Sequence, residues 1–156
     1  MVFELFPKRS DVPKFFFSKK EKEQIQQAIQ ALEEKTSAEL RIHVEKRNKN
    51  ILLMSQAGEA FERLGMTQTN HRNGVLIFIC SDSHEFSILG DILIHKEVPD
   101  GFWDETVKKT EEFFRVDRFA EGVNEAIFRI GEKLKYHFQR RPDDKNELPN
   151  NPSHTE

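Results

Sequence analysis

The sequence predicts an α/β fold: a small mixed β-sheet with one parallel crossover and one antiparallel hairpin, flanked by about four helices in a Rossmann-like sandwich. Three observations carry that prediction. Leu40, Ile42 and Val44 alternate with Arg41, His43 and Glu45, the period of two expected of a strand with one wet face. Val75–Cys80 is apolar at every position, as a central strand covered on both sides should be. Between them Leu53, Ala57, Ala60, Phe61 and Leu64 recur at helical spacing, so the strands are joined by a helical crossover. Such a crossover makes them parallel and is right-handed.

The elements follow in chain order. Residues 1–17 contain two prolines and five phenylalanines (Phe3, Phe6 and Phe15 to Phe17), and read as an arm that docks through its aromatic rings. An α/β domain spans 18–138. Ser18-Lys-Lys-Glu21 is a capping box that opens a helix, in which each side chain satisfies a free backbone N–H of the other end. Ile25, Ala28, Ile29 and Leu32 form its buried face, and Thr36-Ser37 ends it. After the first strand and the crossover helix, Gly65 suits the position just past a helix end. The loop Met66–Asn73 leads into Val75–Cys80, and Ser81–His84 turns the chain back into Glu85–Leu89 as an antiparallel partner. A third helix is expected to start near Asp100 and to carry Trp103, Val107, Thr110 and Phe114. A fourth carries Phe119, Val123, Ala126, Ile127, Ile130 and Leu134. Residues 139–156, "QRRPDDKNELPNNPSHTE", read as an extended or disordered tail on composition.

Composition narrows the function classes. With 156 residues the chain can bury a real core. Its 24 basic and 27 acidic residues leave a net charge of −3, without the one-sided basic field of a nucleic-acid binder. The single cysteine, Cys80, lies inside an apolar run and reads as an inert buried thiol. No stretch approaches a membrane span, and no apolar signal-peptide region can be drawn. The expectation is a cytoplasmic monomer that binds no nucleic acid and does not insert into membranes.

This topology sorts the polar residues onto two opposite rims of the sheet. Rim one collects the starts of the parallel strands and the end of the hairpin strand: Glu39, the loop from Thr69 to Asn73 with His71 and Arg72, and Gly90-Asp91 with His95 beyond. Oxygen-rich sets of this kind bind Ca²⁺ or Mg²⁺. Rim two collects Glu45, Lys46, Arg47, Asn48, Lys49 and Asn50, with Asp82, Ser83 and His84 at the hairpin turn. Its cations stand near the start of a helix, where an anion is favoured. Either rim can also be no more than a turn or a solvated loop. The sequence contains no nucleophile-elbow, P-loop or dinucleotide-binding motif, and no histidine pair has zinc-site spacing.

An ordered set of segments resembles the TPM domain family: "TSAELRIHVEKR" (36–47), "FERLGMTQTNHRNGVLIF" (61–78), "FSILGD" (86–91), "VPDGFWDE" (98–105), "FAEGVNEAI" (119–127) and "PDDKNELP" (142–149). The resemblance implies a single α/β domain of the short, free-standing bacterial form. It implies either a non-enzymatic module that binds a divalent cation or assists a partner protein's assembly or maintenance, or a metal-assisted acid phosphatase. For the module, Glu39, Asn73 and Asp91 are the expected donors to Ca²⁺ or Mg²⁺, with Arg72 and His95 behind them. For the phosphatase, Asp91 and a cation activate water while Arg72 holds the phosphate. Lys46, Arg47, Asn50, Asp82 and His84 are the alternative site on rim two. The chain departs from the family pattern at Ala38 and Leu93, where glycine is usual, at His95, where Asn is common, and at Asn50, where an acidic residue is common. These departures favour the module.

Overall fold

The computed structural model describes residues 9–140 and 146–156. Phe3 and Phe6 of the arm, and the start of the "PDDKNELP" segment, lie outside the described residues. In chain order the elements are α1 (Lys19–Glu33), β1 (Glu39–Glu45), α2 (Leu53–Arg63), β2 (Gly74–Cys80), β3 (Phe86–Gly90), α3 (Ile92–Glu97), α4 (Asp104–Arg115), α5 (Phe119–His137) and β4 (Ser153–His154). Among the described residues the sheet has four strands in the order β3-β2-β1-β4. β1 and β2 are parallel and in register from Glu39 opposite Gly74 to Glu45 opposite Cys80. β3 returns antiparallel on β2, as the short turn requires.

The two faces of the sheet bury different partners. Leu40, Ile42, Val44, Val75, Ile77 and Ile79 meet α1, α4 and α5, whereas Leu76, Phe78 and Cys80 meet Ala57, Ala60 and Phe61 of α2. Each fully buried aliphatic side chain of this kind contributes about 1.5–3 kcal/mol. The capping box of α1 is present, with the Glu21 N–H donating to Ser18 Oγ at 3.1 Å and the Ser18 N–H to Glu21 Oε1 at 2.9 Å. α2 ends as expected, with Gly65 in the left-handed region at φ 71°. The arm docks through two of its rings: Phe16 and Phe17 are buried, while Phe15 is exposed.

Four features differ from expectation. The polar face of β1 is not wet: Glu39, His43 and Glu45 are all buried, covered by α2 and by residues 146–156. That last segment, read from composition as part of an extended or disordered tail, packs. Leu148 enters the α2-side core, and Ser153–His154 pairs parallel with β1 at His43 and Val44. α3 is an additional six-residue helix, capped by the Asp91 side chain. α4 begins at Asp104 rather than near Asp100, because Gly101 turns through φ 75° first.

Candidate functional site

Rim one is organised by β2. Glu39 lies opposite Gly74 in β1, and the Asp91 N–H donates to the Gly74 carbonyl at 2.8 Å. Glu39 and Asp91 therefore flank Gly74, with their backbones two strand spacings (about 10 Å) apart. Asn73, one residue earlier, faces the other side of the sheet and donates from Nδ2 to the Ser37 carbonyl at 2.7 Å. Its Oδ1 is buried and has no hydrogen-bond partner among the described residues. The three expected donors thus share one edge of the sheet without pointing at one spot.

Asp91 is committed locally. Its Oδ1 accepts the Ile92 N–H at 2.7 Å and Arg72 Nη2 at 2.8 Å, and its Oδ2 accepts Arg72 Nε at 2.7 Å. The pairing is a bidentate fork, and this hydrogen bond raises the Arg72 guanidinium above its ordinary pKa. Gly90 is required because α3 folds back over it: a Cβ there would stand 2.5 Å from Ile94 Cγ2. His95 is exposed on α3 and faces a groove beside β3, away from Glu39.

Glu39 has different neighbours. It is buried, its Oε1 accepts the Glu147 N–H, and it lines a pocket of about 310 Å³ with Glu33, Thr36, Ser37, Asn146 and Asn150. The junction beside it is held by the Ser37 N–H donating to the Phe138 carbonyl at 2.9 Å and the Ala38 N–H to Thr36 Oγ1 at 3.2 Å. Glu33 sits at the C-terminal end of α1 with Oε1 buried and without a hydrogen-bond partner among the described residues. Burial pushes the Glu33 carboxyl up to about 7, although Asn150 hydrogen-bonds it and the Arg140 charge opposes the rise. Sequence reasoning missed Glu33. The available signal was the pair Glu33-Glu34 at a helix C-terminus, where the dipole favours cations and where α1 has no basic residue in its last turn.

Rim two is a closed network. Arg47 donates to Glu85 Oε1 at 3.0 Å, the Ile51 carbonyl at 3.0 Å and Gln56 Oε1 at 3.2 Å, and also to the Asn48 carbonyl. Buried Gln56 accepts the Asn48 N–H at 2.8 Å and donates to Glu45 Oε1 at 3.1 Å and the Lys46 carbonyl at 2.7 Å. Burial alone would raise the Glu45 carboxyl, but His43, Gln56 and Arg63 hold it below its ordinary value. The Asp82 carboxyl is also lowered, against the effect of burial, by the N–H groups of Arg47 and Ser83. His84, at φ 59°, packs its ring 4.5 Å from that of Phe119. Lys46 and Asn50 are exposed beside this network. Arg47 is thereby engaged with the protein itself, and the anion site expected here loses its central cation. Cys80 is buried, and desolvation with the nearby Glu85 charge pushes its thiol up to about 12, the inert state expected of it.

Among the described residues no three His, Cys, Asp or Glu side chains converge as a metal cluster, and no helix is long and apolar enough to cross a membrane. Carboxylate, amide and hydroxyl oxygens, the donor types a hard cation takes, line the Glu33–Glu39 pocket. The Arg140 guanidinium lines it too, and its charge acts on the same Glu33 carboxyl.

Comparison with known proteins places the chain. The TPM domain family model matches residues 13–133, and no curated protein matches. Among solved structures, the BA42 protein of the psychrophilic bacterium Bizionia argentinensis is 35% identical. It covers 90% of this chain and 96% of its own, with a TM-score of 0.83. The N-terminal domain of a P. gingivalis protein (16% identity, 80% and 83% coverage, TM-score 0.65) shares the fold. So does the N-terminal domain of the cg2496 protein of Corynebacterium glutamicum (12%, 86% and 87%, 0.61). The extent of the family match and the likeness to BA42 identify this chain as a member of the TPM domain family.

Proposed function

We propose that the chain is a non-catalytic TPM module that binds a divalent cation, Ca²⁺ or Mg²⁺, on rim one and serves a protein partner in its assembly or maintenance. The observation that carries the cation site is Glu33: a carboxyl held up to about 7, with a buried Oε1, lining one pocket with the buried Glu39. Burial disfavours the charged form of the Glu33 carboxyl. A bound divalent cation would supply the compensating charge. Glu33 and Glu39 are the anionic donors, and the Asn146 and Asn150 amides and the Ser37 hydroxyl are the neutral oxygens available to it. Of the three donors expected from sequence, Glu39 keeps its role. Asn73 and Asp91 act as supports of the same rim, tying it to Ser37 and to Arg72.

The phosphatase reading asks Asp91 to act on water. Both of its oxygens already accept hydrogen bonds, from Arg72 and from the Ile92 N–H, which supports binding over hydrolysis.

The test is calorimetric titration with CaCl₂ and MgCl₂ at pH 7 in two buffers of different ionisation enthalpy. Because Glu33 is near half-protonation there, binding should release about half a proton, and Glu33→Gln should remove that release and weaken binding. A cation that binds without proton release, indifferent to Glu33→Gln, would contradict the assignment. So would the absence of any binding heat from either ion.

A further inference from the structure

β3 is an edge strand, and the phase of its hydrogen bonds decides which of its groups face outward. The Cys80 N–H donates to the Glu85 carbonyl at one end of the β2–β3 ladder, and the Asp91 N–H to the Gly74 carbonyl at the other. Paired residues in an antiparallel ladder alternate between bonded and non-bonded. With Phe78 opposite Ser87 and Leu76 opposite Leu89, residues 85, 87, 89 and 91 are the ones that bond to β2. The N–H and C=O groups of Phe86, Ile88 and Gly90 therefore point away from the sheet, and no described residue hydrogen-bonds to them. Among the described residues no further strand pairs with this edge, and its Phe86 and Ile88 lie deep in a groove floor at 4% and 5% exposure. An unpaired edge is a template for another strand, and proteins usually blunt it with charge, proline or a bulge. None of these occurs within Phe86–Gly90.

The edge opens into a groove of about 560 Å³, within the size range of ligand sites. Leu53 and Met54 at the start of α2 form one wall, and Phe102, Trp103 and Val107 the other. Ser87 lies in its floor, 5% exposed, and its Oγ has no hydrogen-bond partner among the described residues. Asp100 and Asp104 stand exposed along the lining, which contains no lysine or arginine among the described residues.

We propose that this groove is a β-augmentation site: a partner's extended segment adds as a fifth strand on Phe86, Ile88 and Gly90. Main-chain hydrogen bonds supply the affinity, and the two walls select alternate side chains. On the α2 side the segment presents a hydroxyl residue beside Ser87, since Ser–Thr pairs hydrogen-bond across strands. On the opposite side it presents aliphatic residues to Phe102, Trp103 and Val107. Basic residues flank it to meet Asp100 and Asp104. The occupant is therefore a basic, alternating aliphatic–hydroxyl peptide. This site is separate from the cation pocket and does not depend on it.

The test uses an acetylated, amidated peptide, Arg-Val-Thr-Val-Thr-Val-Lys, titrated into the full chain while Trp103 fluorescence and backbone amide shifts are followed. Saturable binding should move Trp103 emission and the amides of 86–90. Methylating alternate peptide nitrogens should weaken binding by about tenfold or more. Met54→Lys, an exposed change on the groove wall, should weaken it by a similar factor through repulsion of the basic peptide. Equal affinity of methylated and unmethylated peptides overturns the proposal, as does no binding up to about 1 mM. Slow hydrogen exchange at Phe86, Ile88 and Gly90 in the free protein also overturns it, because the edge would already be covered by this chain or a second copy.

Discussion

The two rims of one small sheet use similar residues to opposite ends. On rim two the buried polar groups answer one another: Arg47 has four acceptors, Gln56 uses both ends of its amide, and Glu45 is held ionised against burial by His43, Gln56 and Arg63. On rim one burial leaves the Glu33 carboxyl partly protonated at neutral pH, in a pocket that the buried Glu39 also lines. A satisfied network rigidifies a fold, and an unsatisfied group in a pocket marks a place where something else can bind. The difference teaches that the count of charges on a rim says little, and that how completely they are paired says much.

The largest expected effect breaks rim two. Gln56→Ala removes the amide that joins α2 to Glu45, Lys46 and Asn48, leaving buried partners unpaired. It should cost about 3 kcal/mol in urea unfolding without changing the affinity for Ca²⁺. A comparable loss of cation binding would place the site on the wrong rim. Next comes Gly90→Ala, whose Cβ must displace Ile94; overpacking of this kind costs about 1–3 kcal/mol. It should loosen α3 before the sheet, visible as faster amide exchange over 92–97 than over 75–80.

Glu33 gives a pH test on rim one. Its folded pKa of about 7 lies above the ordinary 4.5, so the native state holds its proton more tightly than the unfolded chain does. Its contribution is most favourable below pH 4.5, declines as pH rises between 4.5 and 7, and is level above 7. Because the side chain is only partly buried, Glu33→Gln should stabilise the protein at pH 8 by about 1–2 kcal/mol after discounting for solvent screening, and by almost nothing at pH 4. Saturating Ca²⁺ should flatten the same pH dependence in the wild type. The smallest effects concern Asp91. Asp91→Ala loses both the helix cap and the fork to Arg72 and should cost about 1–2 kcal/mol. Asp91→Asn keeps a capping oxygen but turns an amide N–H toward the Arg72 donors, and should cost about 1 kcal/mol. A large loss of cation affinity in Asp91→Asn, with no greater loss of stability than this, would return Asp91 to the ligand set.

Much of the fold was legible because it rests on repeating patterns. The capping box at Ser18, the alternation through Leu40–Val44, the apolar run Val75–Cys80 and Gly65 each report a local rule, and each element stands where that rule put it. The misses involve short or non-repeating segments. α3 is six residues with isoleucines at two of its first three positions, too brief for periodicity to show. The 146–156 segment is anchored by one leucine and a two-residue strand, which its polar, proline-rich composition hides. The site suffers from the same limit. Strand order placed Glu39, Asn73 and Asp91 at one edge, but only side-chain geometry separates a capping aspartate from a carboxyl facing a pocket. Glu33 reaches that pocket from a helix assigned wholly to packing.

A backbone amide NMR titration of the whole chain with Ca²⁺ and then Mg²⁺ distinguishes the two rims. Cation binding in the Glu33–Glu39 pocket should give saturable shifts at 33–39 and 146–150, with 46–50 and 82–84 unmoved. Shifts confined to 46–50 and 82–84, or no saturable shift from either ion, would contradict it.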